Sequence, residues 1–336
     1  MTVHLIGDGY RWATDADVQD LEKILRKAEI HYSAAKFSVG ADVFYANRYA
    51  FLEGKLVAHL RPSFVGLNYF HGHPNTHEKF SLLLDKLSNK GDRVTKIRTS
   101  HTAMKNLLES RGFEGRVQVI RIPVDCDAFR PPDRTERDAM RRQLGIPDTA
   151  TVIGSFQKDG EGWGTGDRPK LEKGPDILCQ TLTAYKKINN ELLVLLTGPS
   201  RGFVTEELTR SGVNFLHVTP EHQADMAKLY WALDGYLIPS RDEGGPKGAL
   251  EAMASGVPVV STPVGQAKDL IVNDSNGWVS GTFEPEELTH LLDYAIAGST
   301  QWTIGEARAT AKANDLSGQT AAWKEFFGRD GSANHK

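Results

Sequence analysis

Two glutamates, Glu243 and Glu251, stand eight positions apart in the sequence. The turn between them is rich in residues that shape the backbone: Gly244, Gly245 and Pro246. The pattern predicts a strand ending near residue 240, a polar turn and a helix over 246–255, with Lys247 in its first turn. Glycines let a ligand approach the backbone closely, and the exposed N–H groups of a helix start suit a phosphate. The sequence therefore predicts an anion site with a carboxylate on either side.

A carboxylate is repelled by a phosphate, so each glutamate is expected to bind an uncharged group that donates hydrogen bonds. Hydroxyl groups fit, and a molecule with hydroxyls on both sides of a diphosphate is a nucleotide sugar. Gly248 and Ser255 share a helix face with Glu251, so few side chains are expected between this glutamate and the helix start. The alternative is that Glu243 solvates a loop and Glu251 lies on a helix surface.

Three histidines follow a predicted strand over 66–70: His71, His73 and His77. Their spacing matches no standard ligand pattern, so a metal site is less favoured than an active-site role for His71 or plain loop histidines. Two D-x-D strings, at 15–17 and 125–127, are interpreted as a helix start and a turn. We therefore expect no metal and no other cofactor.

Short β-branched runs alternate with helical patterns along the chain, which is typical of βαβ units and parallel sheets. The predicted strands are 3–6, 42–45, 66–70, 93–97 and 117–122, then 152–156, 192–197, 213–218, 235–239, 257–261 and 278–279. The fold class is therefore α/β, with two doubly wound domains. Their strand carboxyl ends are expected to meet at one cleft, where ligands of open α/β sheets bind.

A charged stretch over 130–148 separates the two series of strands and predicts the domain boundary. We expect a first Rossmann-like domain over 1–135 and a second over 136–317. The segment 318–336 is expected to form a helix that packs back on the first domain. Its anchors would be aromatic: Trp323, Phe326 and Phe327.

Composition describes an ordinary globular chain of 336 residues, 40% hydrophobic and 25% charged. No apolar run is long enough for a membrane span and no secretion signal is recognised, so a cytoplasmic protein is expected. The two cysteines, Cys126 and Cys179, form no C-x-x-C pattern, so neither a disulfide framework nor a zinc site is expected.

Charge is distributed unevenly: the chain carries −3 in total, with +4 in residues 1–130. Much of the basic excess lies in 89–121. This segment is interpreted either as a solvated face or as a surface for an anionic acceptor or the inner face of a membrane. The oligomeric state stays open.

Residues 241–260 resemble the E-x7-E signature of the family-4 retaining glycosyltransferases, which have the GT-B fold. The likeness continues through 250–279 and includes the segments 117–132 and 172–187. The resemblance implies two Rossmann-like domains facing across a cleft. It also implies that Glu251 binds the ribose of a nucleotide-sugar donor, that Glu243 contacts the sugar, and that Lys173 holds the diphosphate.

Two regions depart from the family pattern. Ser155 stands where the family has an arginine, and the loop within 154–174 is longer, so Lys158 is the nearest cation, with Arg168 or Lys170 in reserve. The glycines of that loop follow no phosphate-binding motif and are interpreted as a flexible rim: Gly160, Gly162, Gly164 and Gly166. The first domain is short, and its opening loop, which begins with Gly7 and Asp8, lacks the usual paired glycines.

The sequence thus predicts a retaining, metal-independent glycosyltransferase that moves a sugar from a nucleotide-diphosphate sugar to an acceptor hydroxyl. The catalytic candidates are Glu243, His71 and Lys173. The donor-binding candidates are Glu251, Lys158, Gly244, Gly245, Lys247, Arg168, Gly7 and Asp8. A nucleotide-sugar epimerase and a noncatalytic nucleotide-sugar-binding protein are the alternatives, and the sugar, the base and the acceptor stay open.

Overall fold

The computed structural model describes residues 2–6, 13–33, 42–46, 48–52, 62–76, 78–220 and 223–328. The chain divides into two compact units: residues 1–123 with 314–336, and residues 124–313. Three candidate residues lie outside the described residues: Gly7, Asp8 and His77.

The described part of the first unit is an α/β structure built on one parallel sheet. Its strands are β1 (Val3–Ile6), β2 (Tyr32–Ser33), β3 (Asp42–Tyr45), β4 (Val65–Asn68), β5 (Lys96–Thr99) and β6 (Val117–Val119). They lie in the order β2-β1-β3-β4-β5-β6. Its helices are α1 (Ala13–Lys27), α2 (Arg48–Leu52), α3 (Glu78–Asn89) and α4 (Thr102–Leu108), with a 3-10 turn (Gly91–Arg93) and a π-helical turn (Glu109–Phe113).

The last described helix of the chain, Thr320–Phe326, belongs to the first unit. Trp323, Phe326 and the following Phe327 pack edge-on against Phe44 of β3, with ring centroids 5.4 to 5.8 Å apart. A Cβ at Gly66 of β4 would lie 2.7 Å from the Phe44 ring and 3.1 Å from that of Phe326. The aromatic anchors therefore need a residue without a side chain on the neighbouring strand.

The described part of the second unit is also built on a parallel sheet. Its strands are β7 (Thr151–Phe156), β8 (Leu192–Thr197), β9 (Asn214–Val218), β10 (Gly235–Ile238), β11 (Val259–Ser261) and β12 (Trp278–Val279), in the order β12-β11-β10-β7-β8-β9. Its helices are α5 (Arg134–Gln143), α6 (Pro175–Ile188), α7 (Gly202–Arg210), α8 (Gln223–Leu229), α9 (Lys247–Ala254), α10 (Gly265–Leu270), α11 (Pro285–Gly298) and α12 (Gln301–Ala313), with 3-10 turns at Leu171–Lys173 and Tyr230–Ala232. The helix Thr320–Phe326 is α13.

The strand order of the second sheet reverses between β7 and β10. From β7 the chain continues outward to β8 and β9, and it then returns to β10 on the other side of β7 and continues to β11 and β12. Helices after neighbouring strands on the two sides of such a switch point leave a crevice at the strand carboxyl ends. The segments after β7 and β10 are therefore the segments in which to look for a site.

Apolar residues cover both faces of the second sheet, as expected for parallel strands. One cluster packs α9 and β10 against the start of the unit, with Leu250, Met253 and Tyr230 fully buried. The other packs α6 and α11 against the opposite face. The candidate helix α9 is thus fixed by its buried side.

The structural division falls at 123/124, before the charged stretch that predicted a boundary at 135/136. This stretch forms α5, whose Arg137 and Arg141 donate to the Asp234 carboxylate at 2.6 and 3.2 Å. These bonds tie the stretch to the second unit. The division near the carboxyl end falls at 313/314 instead of the predicted 317/318.

Candidate functional site

The turn between β10 and α9 is fastened to the segment before α6. Arg241 forms a two-pronged ion pair with Asp176, with both N–O distances 2.7 Å. The backbone N–H groups of Arg241 and Asp242 donate to the carbonyl oxygen of Glu172 at 2.9 and 3.0 Å. The two segments that carry Glu243 and Lys173 are therefore held side by side.

Glu243 and Lys173, both predicted as catalytic residues, are in direct contact. The Lys173 Nζ lies 3.0 Å from Glu243 Oε1, and the Ser240 hydroxyl donates to the same oxygen at 2.7 Å. The Glu243 side chain is 11% exposed and that of Lys173 30%. The pair combines a partly accessible cation with a more buried carboxylate.

Gly174 allows this contact because it follows Lys173 with a φ of 63° and lies against the end of β10. A Cβ at Gly174 would overlap the carbonyl oxygen of Pro239. The same glycine precedes Pro175, the first residue of α6. The Lys-Gly pair therefore sets both the helix start and the distance from the lysine turn to β10.

Glu251 lies on α9 and is bonded to a phenol. The hydroxyl of Tyr230 donates to Glu251 Oε2 at 2.8 Å, and Tyr230 is fully buried. The sequence predicted few side chains between Glu251 and the helix start. This prediction is wrong at Gly248, because a Cβ there would overlap the hydroxyl of Tyr236. This glycine makes room for a second phenol instead of a ligand.

The entrance of α9 differs from the prediction in one detail. Pro246 is the residue before the helix, with a ψ of 104°, and the helix begins at Lys247. Gly244 is buried, while Gly245 and Lys247 are half-buried. The carbonyl oxygen of Gly244 accepts from the Gln266 N–H at 3.1 Å, so α10 supports the turn from behind.

The loop between β7 and α6 carries the other predicted cations. Lys158 Nζ lies 4.0 Å from the centroid of the Trp163 ring, whose side chain is 64% exposed. Burial lowers the pKa of Lys158, and the charge of Lys170 lowers it further. Arg168 is exposed, and its carbonyl oxygen accepts from the Glu161 N–H at 2.8 Å. Both cations lie on the loop after β7, as the sequence placed them.

The glycines of this loop serve packing against the turn after β8. A Cβ at Gly160 or Gly166 would overlap the carbonyl oxygen of Ser200. The Ser200 hydroxyl lies 2.9 Å from the carbonyl oxygen of Gly164 and 3.3 Å from that of Gly162. These contacts anchor the loop at its glycines, so they indicate a packing role and do not support the flexibility expected of a rim.

A buried ion pair that the sequence did not reveal lies beneath this loop. Arg201 Nε is 2.9 Å from Asp159 Oδ1, and the two side chains are 0% and 1% exposed. Arg201 Nη1 also donates to the carbonyl oxygens of Ser155 and Thr197, at 2.7 and 2.8 Å. Arg201 clamps the ends of β7 and β8, and its burial keeps it from acting as the arginine missing at position 155.

In the first unit, His71 is exposed at the turn after β4. Its carbonyl oxygen accepts from the buried Arg48, whose guanidinium lies 4.7 Å from the Tyr69 ring centroid. His73 is exposed, and its Nδ1 accepts from the Asn75 N–H at 3.2 Å. Among the described residues, no group of three or more His, Cys, Asp or Glu is arranged to hold a metal ion.

Basic residues of 89–121 bond to groups within the first unit. Arg116 donates to the carbonyl oxygens of Gly91 and Gly112, at 2.9 and 2.7 Å. Others that donate to carbonyl or carboxylate oxygens of the unit are Lys90, Lys96, Arg98, Arg111 and Arg121. Within the described ranges no helix is both long and apolar enough to cross a bilayer. Contact of 89–121 with an anionic acceptor or a membrane surface stays a prediction.

Known proteins match part of this chain in sequence. Residues 165–297 match the family described as Glycosyl transferases group 1. The D-inositol 3-phosphate glycosyltransferase of Xylanimonas cellulosilytica is 31% identical over 193 residues, which is 54% of this chain and 43% of that protein. The enzyme of the same name from Mycobacterium avium is 30% identical over 249 residues, or 70% of this chain and 52% of that protein. The chain therefore spans about half the length of these curated relatives.

Solved structures match the chain over nearly its whole length. Anabaena HepE, in a complex with UDP and glucose, has a TM-score of 0.75 at 17% identity and covers 97% of this chain and 99% of its own. The sucrose-phosphate synthase of Thermosynechococcus elongatus has a TM-score of 0.71 at 14% identity and covers 98% and 99%. These likenesses confirm the predicted GT-B fold.

Proposed function

We propose that this chain, whose residues 165–297 belong to the group 1 glycosyl transferases, moves a sugar from a nucleotide-diphosphate sugar to an acceptor hydroxyl with retention of configuration. The family match confirms the resemblance that residues 241–260 carry. The observation that best supports the activity is the contact of Lys173 with Glu243 at the switch point of the second sheet. A cation suited to a departing diphosphate lies beside a carboxylate suited to sugar hydroxyls.

In the proposed reaction, the bond between the sugar C1 and the diphosphate oxygen breaks, and its electron pair leaves with the diphosphate. The ammonium groups of Lys173 and Lys158 stabilise this charge, which lowers the barrier without a metal. The sugar becomes oxocarbenium-like, and the acceptor oxygen attacks C1 from the face that the diphosphate leaves. The acceptor proton passes to the departing phosphate oxygen, so the enzyme supplies no covalent nucleophile.

The ion pair implies an exchange of partners when the donor binds. Lys173 is bonded to the single negative charge of Glu243 before binding, whereas a diphosphate offers it more charge at the same place. Transfer of Lys173 to the diphosphate would release Glu243 Oε1 to accept from sugar hydroxyls. Ser240 would still orient the carboxylate, because its hydroxyl reaches the same oxygen.

The remaining candidates take roles that follow from their positions. Gly244, Gly245 and Lys247, at the start of α9, would hold the diphosphate, because backbone N–H groups at a helix start favour anions. Glu251 would accept from the donor ribose. The exposed His71 of the first unit would position the donor or the acceptor.

Donor binding is testable by thermal unfolding with UDP, GDP, ADP and their glucose or mannose conjugates. UDP is the first choice because solved structures of Anabaena HepE contain UDP or UDP-glucose. We expect one nucleotide to raise the unfolding temperature, and the rise to shrink in Glu251→Ala. The control is Glu206→Ala on α7, which removes an exposed carboxylate from the same unit. An equal rise in Glu251→Ala and the wild type would contradict the ribose role.

Transfer is testable by proton nuclear magnetic resonance of the selected donor with a panel of sugar, polyol and lipid-linked acceptors. We expect a product whose anomeric configuration matches that of the donor, with the same rate in the presence of EDTA. Isomerisation of the donor without an acceptor would indicate an epimerase. Binding without turnover across the whole panel would favour a noncatalytic protein.

A further inference from the structure

We propose that Tyr230 is a positioning residue for Glu251, the carboxylate proposed to bind the ribose of the donor. The Tyr230 hydroxyl fixes the orientation of Glu251 and so determines how strongly the site prefers a ribose over a 2′,3′-dideoxyribose. The inference rests on the proposed function, because it requires a nucleotide at this site. It goes further in naming a residue on a different element, 21 positions before Glu251.

The contact has a definite direction. A carboxylate only accepts hydrogen bonds, so the phenol must donate its proton to Glu251 Oε2 at 2.8 Å. Burial raises the pKa of Tyr230 well above its ordinary value, and the charge of Glu251 raises it further. The phenol therefore keeps its proton at neutral pH and remains a donor.

Aromatic packing fixes where the hydroxyl lies. The Tyr230 ring meets Phe156 with centroids 4.9 Å apart and Phe129 with centroids 5.6 Å apart, both nearly edge-on. Tyr236 tilts against it at 5.4 Å, in the space left by Gly248. Since Tyr230 is fully buried, it has no room for another rotamer without displacing these rings.

The hydrogen bond from Tyr230 orients the Glu251 carboxylate and leaves it able to accept further hydrogen bonds. Each carboxylate oxygen accepts more than one hydrogen bond, so Glu251 can bind Tyr230 and a ribose hydroxyl together. Holding Oε2 in place sets the plane of the carboxylate and lowers the ordering cost when the ribose arrives. Without the phenol, a larger share of this ordering would fall to the ligand.

The experiment compares two ligands on five proteins by isothermal titration calorimetry. The ligands are UDP and 2′,3′-dideoxy-UDP, or the GDP pair if the thermal screen selects guanine. The proteins are the wild type, Tyr230→Phe, Glu251→Ala, the double variant of these two changes, and Tyr185→Phe. Tyr185 is the matched control, because it is a buried tyrosine of α6 in the other apolar cluster of the same unit.

We expect the wild type and Tyr185→Phe to prefer the ribose ligand equally. Tyr230→Phe should lower that preference about three- to tenfold, which corresponds to the usual net contribution of one hydrogen bond. Glu251→Ala should abolish most of it, and adding Tyr230→Phe to Glu251→Ala should change it no further. Equal weakening of both ligands by Tyr230→Phe would indicate a merely structural role and overturn the inference.

The outcomes separate this inference from the proposed function. If neither nucleotide pair binds the wild type, both fail. If the wild type prefers ribose and Tyr230→Phe prefers it as strongly, only this inference fails. If Tyr230→Phe does not fold, nuclear magnetic resonance of wild-type protein labelled with ¹³C at the tyrosine ζ position tests the inference instead. The ribose ligand should shift the Tyr230 resonance more than the dideoxy ligand does. Equal shifts would overturn the inference.

Discussion

The two glutamates of the second unit are held by partners of different kinds. Glu243 contacts a cation, Lys173, that is 30% exposed, whereas Glu251 accepts from Tyr230, a neutral phenol with no exposed surface. A charged partner at the surface can be drawn away by a ligand with more negative charge. A buried neutral donor cannot follow a ligand. The first contact is therefore suited to exchange during the reaction, and the second to constant orientation.

The difference between Glu243 and Glu251 is tested most directly by removing the negative charge from each side chain. Glu243→Gln should release Lys173, so that a nucleoside diphosphate without a sugar binds about threefold more tightly, while sugar transfer falls about 100-fold or more. Glu251→Gln should weaken binding of the same nucleotide about tenfold. Calorimetry and turnover assays measure both. Changes in affinity of the same sign in the two variants would refute the distinction.

A substitution at Gly248 tests the packing that holds Tyr230 in place beside Glu251. Alanine at this position would push against the Tyr236 hydroxyl and, through it, the Tyr230 ring. We expect the free energy of unfolding to fall by about 1–3 kcal/mol, the usual cost of overpacking. Gly305→Ala in α12 is the control, because no atom lies within 4 Å of its added Cβ, and it should raise that free energy by about 0.5–1 kcal/mol. Denaturant unfolding distinguishes the two, and equal effects would show that Tyr236 yields easily.

The smallest expected effect is the pH dependence of stability that comes from the Asp176–Arg241 ion pair, which holds the turn that carries Glu243. Burial acts to raise the pKa of Asp176, but the hydrogen bonds and charge of Arg241, together with backbone hydrogen bonds from Asp176 and Ile177, outweigh it, so the pKa lies below the ordinary 3.8. Its contribution to stability is therefore complete above pH 3.8 and is lost as the pH falls through the lowered value. Asp176→Asn should lower the free energy of unfolding by about 1 kcal/mol at pH 7, because the pair is partly exposed.

The control for that prediction is Arg241→Gln, which removes the other half of the ion pair. Combined with Asp176→Asn, it should cost little more than either change alone. In unfolding curves measured at decreasing pH, the difference between wild type and Asp176→Asn should shrink once the pH falls below 3.8. A difference that stays constant would mean that the asparagine acts through the start of α6 and not through the ion pair.

Sequence reasoning anticipated most of the fold for a simple physical reason. The buried parallel strands are short runs of apolar residues, such as Leu192–Thr197 and Val259–Ser261, and their burial on both faces leaves a strong local signal. The two-residue strand β2 carries no such signal, because its register depends on the neighbouring β1. The charged stretch that forms α5 predicted the domain boundary too late in the chain, because the partner of its arginines, Asp234, is remote in sequence.

The site was anticipated only where its residues are neighbours in the chain or share a family motif. Glu243, Glu251 and Lys173 belong to such motifs. Tyr230 and Arg201 do not, because their partners are 21 and 42 positions away and no spacing rule links them. The prediction of few side chains beside Gly248 was wrong for the same reason, since the phenol of Tyr236 that lies there comes from β10.

The backbone of Gly174 lies directly against the carbonyl group of Pro239. Two peptide groups touch there with no side chain between them, so thermal motion of rotamers cannot separate the lysine turn from the end of β10. The contact therefore sets the spacing between the two backbone segments, while the Lys173 side chain can still rotate from Glu243 to another partner. We infer that warming the protein would loosen the surrounding surface well before it altered that spacing.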